Sequence, residues 1–78
     1  MKINTKFDIG QKVYVIYNCR ICETKIAYIE LFKINNTLII YYRYFLKGSC
    51  ELYSSEEDAL FATREEAKAK LEEELKNE

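Results

Sequence analysis

The chain has 78 residues, of which 49% are hydrophobic and 32% are charged, and its formal net charge is −1. This apolar fraction argues against a disordered chain, and the length fits one small domain, residues 1–78. No apolar run is long enough to cross a bilayer, and residues 1–7 lack the apolar segment of a secretion signal. We therefore expect a cytoplasmic protein with no membrane partner.

The two parts of the chain differ in composition and charge. Residues 1–53 are rich in aromatic and β-branched residues and carry a net charge of +4, whereas residues 54–78 carry −5. The first composition favours strands, and the acidic part ends in one clear helical segment. We predict an α+β fold: a small curled antiparallel sheet of about five strands over residues 1–62, followed by one C-terminal helix over residues 63–77.

The first strand is predicted over Lys12–Tyr17, where valines occupy the alternate positions 13 and 15, and Asn18-Cys19 suits the turn that follows. The next segment, Arg20–Ile34, is too long for an ordinary flat strand. Its apolar residues also change face midway, from Ile26 and Tyr28 to Ile29 and Leu31. A change of face within one strand predicts a bend or a β-bulge.

Asn35-Asn36 separates two strongly β-prone segments and fits a two-residue hairpin turn with positive φ angles. The following strand is predicted over Thr37–Leu46 and is the most apolar. After a turn at Lys47-Gly48, we predict short strands over Ser49–Tyr53 and Leu60–Ala62. The register of the central hairpin follows from its turn, with Ile34 opposite Thr37 and Leu31 opposite Ile40.

The C-terminal helix is predicted over Arg64–Lys76. Thr63 is in the N-cap position and Glu66 follows three residues later, which is the spacing of a capping box. The apolar stripe of this helix is narrow and consists of Ala67, Leu71 and Leu75.

Counting from the hairpin turn divides the side chains between two faces. One face is almost wholly apolar and is predicted to lie in the core: Ala27, Ile29, Leu31, Leu38, Ile40, Tyr42 and Tyr44. The second face, called the outer face below, is amphipathic: Ile26, Tyr28, Glu30, Phe32, Ile39, Tyr41, Arg43 and Phe45. Glu30 and Arg43 are diagonal neighbours on it and are expected to be close enough to pair.

A sheet that is apolar on both faces needs cover on both. We expect the helix to act as a partial lid on the outer face, too narrow to cover all of it. The remainder is covered either by loops and the curl of the sheet or by a partner. In the second case the predicted partner-binding residues are Tyr28, Glu30, Phe32, Ile39, Tyr41 and Arg43, because Tyr and Arg are enriched at interface hot spots. The uncovered part of the outer face could also bind a second copy of the chain and so form a homodimer.

The sequence contains no constellation typical of an enzyme or of a cofactor site. It has no His, so the commonest general base is absent, and its two glycines do not form a phosphate-binding loop. Cys19 and Cys22 have the spacing of half a zinc site, but only Cys50 is left as a third thiol ligand. We predict no catalysis, no cofactor and no metal, and three ordinary reduced thiols.

Nucleic-acid or nucleotide binding is the alternative function. Small barrels bind single strands by stacking bases on aromatic side chains beside Lys or Arg. Tyr17, Arg20 and Lys47 have this chemistry, and Tyr28, Tyr41 and Arg43 could add to it. The basic excess of residues 1–53 favours this function, whereas the acidic helix opposes it.

Residues 7–15, Phe-Asp-Ile-Gly-Gln-Lys-Val-Tyr-Val, resemble the opening of many SH3-like small barrels. Residues 61–71, which begin Phe-Ala-Thr-Arg-Glu-Glu-Ala, resemble the closing element of short proteins from low-GC Gram-positive bacteria and their phages. The resemblance implies an SH3-like barrel with a C-terminal helix. It also implies a protein that binds a host factor, in the manner of phage inhibitors of bacterial defence systems such as CRISPR, and it assigns no residue a role.

Overall fold

A computed structural model describes residues 4–76 and contains six strands, a short 3₁₀ turn and one helix. The strands are β1 (Lys12–Tyr17), β2 (Arg20–Lys25), β3 (Tyr28–Ile34), β4 (Thr37–Phe45), β5 (Leu52–Ser55) and β6 (Leu60–Phe61). The 3₁₀ turn covers Glu57–Ala59, and the helix, α1, covers Arg64–Lys76. Residue 77, which the prediction placed in the helical segment, lies outside the described residues.

The strands form two antiparallel three-stranded sheets, a first sheet in the order β2-β1-β6 and a second sheet in the order β3-β4-β5. The α+β class with a C-terminal helix is confirmed, but the sheets are not closed into a barrel. The last strand, β6, has two residues and pairs with β1 at Tyr14 and Val15. Within residues 4–76, no strand ladder joins the first sheet to the second.

The chain passes from one sheet to the other at Ile26-Ala27. Ile26 is hydrogen-bonded to the segment before β1. Its carbonyl oxygen accepts from the Gly10 amide at 2.7 Å, and its amide donates to the Gln11 oxygen at 3.0 Å. The next amide, that of Ala27, instead donates to the Arg43 oxygen at 2.8 Å. Tyr28 is also the register partner of Arg43. Ala27 and Tyr28 are therefore both opposite this one residue of β4, as in a β-bulge. The predicted bend is confirmed.

This bend corrects two predictions. The segment Arg20–Ile34 is not one long strand but two strands in different sheets. Ile26, expected on the outer face, is 1% exposed and belongs to the core. The bend turns its side chain inward, whereas Tyr28, two residues later, lies on the outer face.

Both two-residue hairpin turns have positive φ angles. These angles are 52° and 59° at Asn18 and Cys19, and 48° and 66° at Asn35 and Asn36. Such values match a type I′ turn, which fits the twist of the adjoining strands. The predicted register of the second hairpin is confirmed from Ile34↔Thr37 to Ile29↔Tyr42.

The strand after the central hairpin begins later than predicted. The Ser49 amide donates to the Leu46 oxygen at 3.0 Å, and the Glu51 amide donates to the Ser49 hydroxyl at 3.1 Å. These bonds hold residues 46–51 in turns, so β5 covers Leu52–Ser55 rather than Ser49–Tyr53.

The core lies between the inner faces of the two sheets. Its buried residues are Phe7, Val13, Val15, Ile26, Tyr42, Tyr44, Leu46 and Leu60. Two residues predicted on this face, Leu31 and Leu38, are instead 46% and 44% exposed. With nine residues, β4 is longer than the six-residue strands β1 and β2, so the tip of the β3–β4 hairpin extends past the core.

The helix packs mainly against β1, β2 and β6 of the first sheet, with Ala67 fully buried in that contact. The Glu66 amide donates to the Thr63 hydroxyl at 3.2 Å, as the N-cap prediction requires. The Glu66 carboxylate accepts from the Ala62 amide rather than from Thr63. The expectation that the helix is a lid on the outer face is wrong, because the helix lies on the other sheet.

Candidate binding surfaces

The outer face belongs to the second sheet and presents large apolar side chains. Tyr28 and Phe32, on β3, are 56% and 43% exposed, and Ile39 and Tyr41, on β4, are partly exposed beside them. The rings of Phe32 and Tyr41 meet edge to face, with centroids 5.7 Å apart. This contact packs the two rings against each other on the surface of the sheet.

An ion pair lies at the centre of the outer face. The Arg43 Nε atom contacts the Glu30 carboxylate, and the two side chains are 34% and 35% exposed. They are diagonal neighbours in the ladder, since Glu30 is opposite Tyr41 and Arg43 is opposite Tyr28. The predicted pairing is confirmed. The two charges neutralise each other, so the centre of this face combines apolar rings with directional polar groups.

Further apolar residues extend the outer face in both directions. Phe45 lies opposite Leu52 of β5, and both are exposed, while Ile34 is exposed near the hairpin tip. The prediction did not include Ile34 or Leu52 among the site residues. Ile34 is two residues after Phe32 on the same strand, so alternation along the sequence places it on the outer face. Leu52 depends on where β5 begins, and the sequence does not show this.

A second surface is a groove of about 510 Å³ along the free edge of β2, lined by Tyr17, Cys22, Glu23, Leu46, Lys47, Gly48, Ser49 and Arg64. Two residues predicted for nucleic-acid binding, Tyr17 and Lys47, are brought together here. Arg20, the third, does not line the groove and lies opposite Tyr17 at the end of the β1–β2 hairpin. Arg64 and Glu23 were not predicted, because the groove joins three segments that are distant in sequence.

Aromatic contacts connect Tyr17, which lines this groove, to the core. The Tyr17 ring meets the Tyr53 ring at 5.5 Å, and Tyr53 in turn stacks on Tyr44 at 6.2 Å. Tyr44 is buried, and burial raises the pKa of its hydroxyl, which shares a 2.7 Å hydrogen bond with Ser55. Tyr17 is therefore anchored on the core while 43% of its surface is exposed.

A hydrogen-bond network joins the segment before β1 to the second sheet. The hydroxyl of fully buried Tyr42 donates to the Glu57 carboxylate at 2.6 Å and accepts from the Lys6 amide at 2.9 Å. Burial raises the pKa of Tyr42, and the hydrogen bond from Tyr42 lowers the pKa of Glu57. These groups are paired with each other, and the network fixes the fold rather than presenting a reactive group.

The three cysteines lie in different environments. Cys19 is exposed in the first hairpin turn, Cys22 packs against the core from β2, and Cys50 is exposed after β4. Among residues 4–76, no group of three or more His, Cys, Asp or Glu side chains is arranged to hold a metal ion. In the same part of the chain, no helix is long and apolar enough to cross a membrane.

No family model matches the chain, and comparisons with curated proteins and with solved structures found no match.

Proposed function

We propose that this chain is a non-catalytic binding module that recognises another protein through the outer face of the second sheet. The observation that carries the proposal is the position of α1, which covers the first sheet and leaves Tyr28 and Phe32 exposed. Contiguous exposed apolar surface of this kind is typical of interaction sites.

The energetics support an interface centred on a few residues. Completing the burial of Tyr28 or Phe32 contributes on the order of 1 kcal/mol each, because both are already half-buried. The ion pair of Glu30 and Arg43 adds orientation, since a partner must supply polar groups that match it. The partner surface is therefore expected to be apolar, with a polar group that meets the Glu30–Arg43 pair.

Two narrower parts of the proposal rest on other support. An SH3-like architecture is favoured by the resemblance at residues 7–15 and by the bend at Ile26-Ala27, which passes the chain between two sheets as small barrels require. The identity of the partner as a host factor, and of the chain as an inhibitor from a phage or another mobile element, is supported by the resemblance alone. Its cytoplasmic location stays a prediction.

The test is affinity capture of proteins from a bacterial lysate with matched variants. The patch variant carries Tyr28→Ser and Phe32→Ser. The control carries Ile9→Ser and Leu75→Ser, two exposed apolar residues of similar exposure outside the outer face. We expect the captured protein to be lost from the patch variant and kept by the control. Equal capture by both variants would rule out the outer face as the site.

The same surface could bind a second copy of the chain, and light scattering separates that possibility. A homodimer through the outer face requires a mass that rises with concentration and falls to that of a monomer in the patch variant. A constant monomer mass removes the homodimer and leaves a different protein as the occupant.

A further inference from the structure

The groove along β2 is separate from the outer face and combines groups that the protein-binding proposal does not use. Its volume, about 510 Å³, is within the range of about 300–1,000 Å³ typical of small-molecule sites. Its lining includes the buried Leu46, the partly buried Cys22 and the exposed aromatic ring of Tyr17. A flat aromatic ligand can pack against apolar and aromatic side chains of this kind.

The rim of the groove carries two cations without a carboxylate partner. Lys47 and Arg64 both line it, and among residues 4–76 neither has an Asp or Glu oxygen within 4 Å. The Arg64 guanidinium lies over the Tyr14 ring, 5.1 Å from its centroid. This contact positions the guanidinium without neutralising it, so its N–H groups remain available for an anion.

Polar groups along the β2 edge add hydrogen-bonding capacity. In the β1–β2 hairpin, alternate residues of β2 direct their backbone groups away from β1, and by this register Glu23 is one of them. Glu23 also lines the groove, and its carboxylate is 3.4 Å from the Tyr14 hydroxyl and 3.9 Å from the Lys12 Nζ atom. This carboxylate repels an anion placed against it but accepts hydrogen bonds from an amino group.

We propose that this groove binds a nucleoside phosphate, with the base against Tyr17 and the phosphate beside Lys47 and Arg64. The Tyr17 ring can stack on the base, and the two cations can bind the phosphate. Glu23 favours a base that carries an amino group. The proposal concerns a different site from the outer face, so either can fail without the other.

The first experiment is an NMR titration of the 78-residue chain with cytidine monophosphate, uridine monophosphate and inorganic phosphate. In about 50 mM salt we expect cytidine monophosphate to shift the Glu23, Gly48 and Ser49 amides with a dissociation constant of about 0.1–1 mM. Uridine monophosphate should bind more weakly. Unmoved groove amides at about 10 mM nucleotide, or phosphate binding as tightly as the nucleotide, would overturn the proposal.

Matched variants separate the groove from general electrostatic attraction. Lys47→Gln should weaken cytidine monophosphate binding about 3- to 10-fold and Tyr17→Leu about 5- to 10-fold. Lys33→Gln and Tyr28→Leu make the same chemical changes outside the groove and should leave binding unaltered. If the controls weaken binding as much as the groove variants, the site is wrong. Lys47→Gln touches neither the core nor the helix, so loss of the fold does not complicate the result.

A single-stranded oligonucleotide of about ten nucleotides distinguishes the source of the ligand. If it binds more than about tenfold tighter than the mononucleotide and its affinity falls steeply with salt, the groove serves a nucleic-acid strand. If it binds no tighter, the ligand is a free nucleotide. Both results support the site only if Tyr17→Leu and Lys47→Gln weaken the binding, and insensitivity to both variants overturns it.

Discussion

The two sheets have similar apolar content but are covered differently. The first sheet packs its inner face on the core and its outer side against α1, where Ala67 is buried. The second sheet shares the same core, but within residues 4–76 no helix covers its outer face, which exposes Tyr28, Phe32, Phe45 and Leu52. A small chain that leaves such a face open forgoes stabilisation that it can hardly spare. This cost is the physical argument for a partner on the second sheet.

The largest expected effect concerns the cover on the first sheet. Ala67→Asn places a larger polar side chain where the helix contacts the sheet, and we expect it to lower the free energy of unfolding by about 2–4 kcal/mol. Ala69→Asn makes the same change at an exposed position of the same helix and should cost only about 0.5 kcal/mol, its helix propensity. Urea unfolding measures both. Similar losses for the two variants would contradict the packing of α1 on the first sheet.

A smaller effect is expected from the network beneath the second sheet. Tyr42→Phe removes the hydroxyl that joins the Lys6 amide and Glu57, and should cost about 1–2 kcal/mol of stability. Tyr28→Phe removes an exposed hydroxyl from the same sheet and is the matched control, with no change expected. Thermal unfolding compares the pair, and a destabilised control with an unaffected Tyr42→Phe would reverse the assignment of inner and outer faces.

The difference in cover between the two sheets is tested by replacing one apolar residue with Ser on the helix-covered side of the first sheet and one on the outer face of the second sheet. Ile16 lies beside Lys70 and Glu74 of the helix, whereas Phe32 lies on the open face. We expect Ile16→Ser to cost about 1–2 kcal/mol and Phe32→Ser less than about 1 kcal/mol, although Phe is the larger side chain. Chemical denaturation provides both values. A greater loss from Phe32→Ser would mean that the outer face is covered within the chain itself.

The smallest effect is the acid dependence of the network. The pKa of Glu57 is lowered in the folded chain by the hydrogen bond from Tyr42, so its stabilisation is present above the unfolded value of 4.5 and is lost as the pH falls through the folded value. Because Glu57 is only partly buried, solvent screens its charge and we expect less than about 1 kcal/mol. The stability gap between the wild type and Glu57→Gln should close between about pH 6 and pH 3. A gap that is constant with pH would exclude an ionised Glu57 as its cause.

Local signals in the sequence predicted the elements that depend on local geometry. The strand Lys12–Tyr17, the turn at Asn35-Asn36, the hairpin register and the helix over Arg64–Lys76 agree with the structure. Alternation, positive φ angles at Asn and the N-cap each act over a few residues. The parity that placed Tyr28, Arg43 and Glu30 on one face follows from the same register.

The features that were missed depend on contacts between distant segments. The bend at Ile26-Ala27 was predicted, but the division of Arg20–Ile34 between two sheets was not. Hydrogen bonds to Gln11 and to Arg43 fix this division, and these partners are not evident from the local pattern. The helix is amphipathic only through a narrow stripe, so its sequence did not specify which sheet it covers. For the same reason Arg64 could not be placed beside Tyr17 and Lys47 before the helix was placed.

The projecting hairpin tip has a consequence for the rate at which its backbone opens. From Leu31 to Leu38 every residue is exposed, so this part of the hairpin has little buried surface to hold its hydrogen bonds closed. Its amides should exchange with solvent earlier than those near Tyr42. A partner that grips Phe32 must order this tip and lose affinity in doing so, whereas one that grips Tyr28 and Arg43 meets backbone that is already rigid.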